Sequence, residues 1–76
     1  MPKLPRLTGK EMVRFLEARG FTVTHVRGSH HFLDSPTHRT SVPVHGNAAL
    51  KIGTLRSILR DIALSPTDFF EAWQDQ

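Results

Sequence analysis

Apolar positions along the 76-residue chain change their period several times, and each change marks an element. Met12, Val13, Phe15 and Leu16 recur at helical spacing. Thr8-Gly9-Lys10-Glu11 ahead of them has the form of a capping box, and Gly20 stands where a helix C′ residue belongs, so a helix is predicted over about 9–19. From Phe21 the period drops to two: Phe21, Val23 and His25 alternate with Thr22 and Thr24, which predicts a strand with those three on one face. Gly28-Ser29 turns the chain. His30 to Asp34 reads as a second strand, His30 and Phe32 on one face and His31 and Leu33 on the other. After the Ser35-Pro36-Thr37-His38 turn, Thr40 to Val44 reads as a third strand in which Val42 and Val44 face one way. Pro43, lacking an N–H, marks that strand as an edge or as irregular.

Gly46-Asn47-Ala48-Ala49 is a loop, and Lys51 follows it near the start of the longest stripe, Ile52, Leu55, Ile58, Leu59 and Ile62. Arg56, Arg60 and Asp61 fall on the polar side of that helix. Ser65, Pro66 and Asp68 then supply an N-cap, an N1 proline and an N3 acid for a last helix, with Phe69, Phe70 and Trp73 on its apolar face. The expected class is α+β: an α-β-β-β-α order with a three-stranded antiparallel sheet, helices on one face, and a short C-terminal helix. One domain is expected over residues 1–76, with its core at about 8–64 and the last helix at about 66–75.

Composition narrows the chemistry. There is no cysteine, which excludes disulfides and thiolate metal sites and fits a reducing, cytoplasmic setting. No apolar run resembles a signal peptide or a membrane span, so no membrane partner is expected. The net charge of +3 is uneven: residues 1–60 hold all ten Lys and Arg against three acids, a net +7, and residues 61–76 carry four acids and no base. A basic body favours polyanionic partners, nucleic acid above all.

All five histidines, His25, His30, His31, His38 and His45, lie in one 21-residue window. Histidine takes and returns protons near neutral pH. Cleaving RNA by transesterification needs such a group to deprotonate the ribose 2′-OH or to protonate the leaving 5′ oxygen. Arg27 beside the His30-His31 pair, the amides of the Gly28-Ser29 turn, and Lys51 are candidates to hold phosphate. His30 and His31 must point to opposite faces of a strand, so both are not expected in one site. His30 also has a plain reading as a strand residue bonded to a carbonyl. His25 reads as structural and His38 as a solvated loop residue, while His45 ends the third strand and is a possible assisting group. The window contains no acid besides Asp34 and no helical His-x-x-x-His pair, so neither a metal nor another cofactor is expected.

Leu16 to Phe21, the Arg27-Gly28-Ser29-His30-His31 turn, Val42-Pro43-Val44-His45 and Ile52-Gly53-Thr54-Leu55-Arg56-Ser57-Ile58-Leu59-Arg60 together resemble the HicA (YcfA-like) toxins over roughly residues 8–70. The resemblance implies a double-stranded-RNA-binding-domain-like fold and a metal-independent mRNA interferase of a type II toxin–antitoxin pair. Its partners would be a HicB-type antitoxin, which covers the active surface, and messenger RNA. It places the catalytic histidine at His30, with His31 as the fallback, and offers His45 as an assisting candidate. The rival reading is a non-catalytic RNA-binding module of the same fold. Such modules grip phosphates with a lysine cluster at their last helix, where this chain offers Lys51 alone.

Overall fold

A computed structural model describes residues 4–75. Its elements run α1 (Gly9–Ala18), β1 (Thr22–Arg27), β2 (His30–Asp34), β3 (Arg39–Pro43), α2 (Ile52–Asp61) and α3 (Pro66–Gln74). Local signals set most of the ends. Thr8 Oγ1 accepts from the Glu11 N–H at 3.2 Å and Glu11 Oε1 accepts from the Thr8 N–H at 2.9 Å, completing the capping box. Past α1, the Gly20 N–H donates to Glu17 O and the Phe21 N–H to Leu16 O, the paired bonds of a Schellman motif. Ala63 does the same work after α2 with φ +56, a conformation in which its Cβ is strained. Ser65 Oγ accepts from the Asp68 N–H at 3.1 Å and starts α3.

The sheet is antiparallel in the order β1-β2-β3, which leaves β3 an edge strand, as Pro43 requires. Arg27 pairs with His30 across a two-residue turn whose first central residue, Gly28, has φ +60. Positive φ at that position is what a tight hairpin with native twist demands, and glycine meets it without strain. β3 begins and ends one residue earlier than the alternation predicts, at Arg39 and Pro43. Val44 lies past its end, although its N–H still donates to Ser29 O at 2.7 Å.

One expectation fails in β1. The register runs Val23↔Leu33 and then His25↔Phe32, so a bulge at Thr24 interrupts the alternation. Val23 faces the helices, whereas His25 and Arg27 emerge on the opposite face. The predicted common face for Phe21, Val23 and His25 is therefore wrong. Thr24 Oγ1 donates to the Phe32 carbonyl oxygen at 3.3 Å and lies 3.3 Å from His25 Nδ1, which holds the bulge.

α1 and α2 cover one face of the sheet, and the core lies between. Met12 and Leu16 of α1, Leu33 of β2, Val42 of β3, Leu59 of α2 and Phe69 of α3 are each at most 1% exposed. Burying a side chain of this size contributes about 1.5–3 kcal/mol. Phe69 stands edge-on to Phe15, ring centroids 4.9 Å apart, so α3 closes the core and does not hang beside it. The two helix N-termini are tied to the same end of the sheet. A Cβ on Gly9 would overlap the Pro43 carbonyl oxygen, so only glycine lets α1 start so close to the end of β3. The Leu50 N–H donates to Leu7 O at 2.8 Å and joins the approach to α2 to the approach to α1. Pro43 pairs with His30, so this is also the end that carries the Gly28-Ser29 turn.

Candidate active site at the rim of the sheet

His30 opens β2 immediately after the hairpin turn and is exposed. Its cross-strand partners, Arg27 and Pro43, share its face, so the row Arg27–His30–Pro43 lies on the side of the sheet away from the helices. From that row a groove of about 330 Å³ passes around the free edge of β3 to α2. His30, Ser41 and Pro43 form one wall, and Gly53, Thr54, Ser57, Ile58 and Asp61 form the other. Ile58 is buried, so the far wall has an apolar floor with hydroxyls and one carboxylate around it. Asp61 is also tied to the sheet, because its Oδ2 accepts from Thr40 Oγ1 at 3.0 Å.

The other residues singled out in the sequence divide around this groove. Arg27 is exposed beside His30, and Ser29 is half-buried at the turn, held by the Val44 N–H. Lys51 is exposed as the N-cap of α2, two residues before Gly53, and makes no capping bond with its side chain. The first amides of α2 thus have no capping side chain at the end nearest the groove. His45 is exposed two residues beyond Pro43, outside the groove lining. His31 points the other way. It pairs with Val42 on the helix side, and its Nδ1 is buried without a hydrogen-bond partner among the described residues.

Of the two remaining histidines, His25, read as structural, is exposed, and its ring stacks on Phe32 at 4.3 Å with planes 6° apart. His38 is half-buried in its turn, where its N–H donates to Ser35 Oγ and its Nδ1 lies 2.7 Å from Thr37 Oγ1. Among the described residues, no three His, Asp or Glu side chains gather closely enough to hold a metal ion, and no helix is long and apolar enough to cross a membrane.

Sequence reasoning overlooked Ser41, Thr54 and Ser57 and placed Asp61 only on a polar face. Thr54, Ser57 and Asp61 are spaced i, i+3 and i+7, which puts them on one side of a helix, and that spacing was a readable signal. Nothing local indicates that β3 and His30 face them.

Residues 9–64, which span α1 through α2 and every groove residue, match the family described as HicA toxin of bacterial toxin-antitoxin. No curated protein matches the chain. α3 lies outside the matched span, yet it supplies Phe69 to the core that the matched elements build. With almost three quarters of its length inside that match and its fold in the double-stranded-RNA-binding-like α+β class, the chain belongs to the HicA family, the toxin half of a bacterial toxin–antitoxin pair.

Proposed function

We propose that this toxin is a metal-independent endoribonuclease, an mRNA interferase, in which His30 transfers the proton during strand scission. The observation that carries the reading is the position of His30: an exposed imidazole beside Arg27, on the rim of a polar groove, in a HicA-family toxin. His30 takes the 2′-OH proton as the ribose oxygen attacks the adjacent phosphorus. The P–O5′ bond breaks, the leaving 5′ oxygen takes a proton from water, and the strand ends in a 2′,3′-cyclic phosphate. One positioned acid or base of this kind contributes about 10²–10⁴-fold. Arg27, at the same strand end, stabilises charge gathering on the phosphoryl oxygens. Ser29 and Lys51, at the hairpin and at the start of α2, bind the flanking phosphates, with the first amides of α2 adding dipolar attraction for the anion. His45 assists from the loop after β3.

His30 is preferred to the fallback His31 because His31 lies on the helix side of the sheet with its Nδ1 buried, whereas His30 is exposed on the groove. On this reading the antitoxin is a HicB-type protein that occludes the rim, the substrate is messenger RNA, and the site of action is the cytoplasm. The test is cleavage of single-stranded RNA by purified toxin on a denaturing gel, beside the His30→Ala protein shown by circular dichroism to be folded. Wild type shortens the RNA and the variant does not. Equal cleavage by both overturns the assignment.

A further inference from the structure

We infer that the open face of the sheet is a stacking platform for single-stranded RNA, with Phe32 and His25 receiving a base one step along the strand from His30. This rests on the ribonuclease reading for its choice of nucleic acid and extends it by naming where the substrate lies. Four observations carry it.

The first is the ring pair. His25 and Phe32 lie 4.3 Å apart and within 6° of parallel, on the face without helices, with His25 exposed and Phe32 half-buried. Each ring covers one π face of the other, so the pair offers its outer faces to a base, and base stacking on such faces is tolerant of sequence. The second is the bulge. Uninterrupted alternation would carry His25 and Arg27 to the helix side with Val23. The extra residue at Thr24 puts both on the face of His30 and Phe32, and the Thr24 Oγ1 beside His25 Nδ1 steadies the ring.

The third is charge. The platform row, His25–Phe32–Ser41, lies between two rows that each bring an arginine, Arg27 on one side and Arg39 on the other. Arg39 is 85% exposed and only loosely engaged with Asp34, at 3.7 Å, so it can turn to a phosphate. A phosphate chain crossing the rows thus meets cations before and after its stacked base. The fourth is spacing. His30 and Phe32 share a face two residues apart, about 7 Å along the strand. A base seated on Phe32 leaves an adjoining ribose near the imidazole, and the strand then continues past Ser41 into the groove beside α2. Paired bases present no free faces, so a platform of this kind selects single strands over duplex.

The test uses full-length toxin and a short fluorescein-labelled oligoadenylate with 2′-O-methyl riboses, which cannot be cleaved because the nucleophile is blocked. Fluorescence anisotropy reads binding. Wild type binds the single strand more tightly than the same strand annealed to its complement. Phe32→Val, which keeps a strand-forming apolar residue and removes the ring, weakens binding roughly tenfold, and Phe32→Trp restores it. His25→Ala, at an exposed position where folding is not in question, weakens binding roughly threefold. A folded Phe32→Val protein with wild-type affinity overturns the platform and assigns the ring pair to sheet packing. Tighter binding of duplex, or no binding by wild type, overturns it as well. The catalytic reading fails separately: if His30→Ala still cleaves ordinary RNA while Phe32→Val loses binding, the platform stands and the catalyst is elsewhere. If His30→Ala is inactive while Phe32→Val binds normally, the ribonuclease stands and the platform falls.

Discussion

His30 and His31 are covalent neighbours on β2, and their side chains leave the strand into opposite surroundings. His30 shares a face with Arg27, Phe32, Ser41 and Pro43, which remain exposed or half-buried. His31 shares a face with Leu33 and Val42, both 0% exposed, and its buried Nδ1 has no partner among the described residues. Both faces come from the same short strands, but their residues differ: Val23, Leu33 and Val42 lie on one and Arg27, His30 and Ser41 on the other. α1 and α2 pack on the apolar side, which buries Leu33 and Val42 and leaves the other side open. Polar groups are costly on the helix-covered face and inexpensive on the open one.

The contrast can be broken most severely at His30. Replacement by Ala is expected to lower the RNA-cleavage rate by about 10²–10⁴-fold. Because the side chain is exposed, the thermal midpoint should barely move. Initial rates and a melting curve on the same protein settle both halves, and a large stability loss would contradict the assigned face. Leu33→Ala, on the helix face, should show the reverse pattern. It is expected to cost about 2–5 kcal/mol in denaturant unfolding, a large share of the stability of a small domain, while leaving the groove residues themselves intact.

A smaller effect is expected where the two layers are tied. Thr40→Val removes the hydroxyl that donates to Asp61 and should cost about 1 kcal/mol by the same measurement, since exposed Asp61 can turn to water. The smallest is at His31. Replacement by Leu relieves a buried polar atom of its unmet bond, so unfolding free energy should stay within about 1 kcal/mol of wild type or rise. Cleavage should persist in that variant, and its loss with the fold preserved would move the catalytic assignment from His30 to His31.

Local signals were readable wherever a short stretch of chain completes its own bonds. Thr8 with Glu11, Gly20 after α1, Gly28 in the hairpin and Ser65 with Asp68 each close a turn within a few residues, and each lies where the residue types indicated. The stripe from Ile52 to Ile62 likewise needs only helical spacing to be recognised. The bulge at Thr24 was not readable. Phe21 to His25 alternates cleanly, and what breaks the alternation is a hydroxyl bonding to a carbonyl eight residues away on the next strand. The burial of Phe69 was equally hidden: an aromatic stripe fits a core or a docking surface, and Phe15 decides between them only once α3 folds back.

The residue order alone determines that this chain forms two helices around a three-stranded meander, that a third helix follows, and that an imidazole stands at the first hairpin beside an arginine. Periodicity and capping act over a few residues and are written in sequence. Tertiary structure decided which histidine faces solvent, which one turns toward the helices, and that Thr54, Ser57 and Asp61 stand across the edge of β3 from His30. Those relations join residues 11 to 31 positions apart, and they exist only after burial of the common apolar face has set the helices on the sheet.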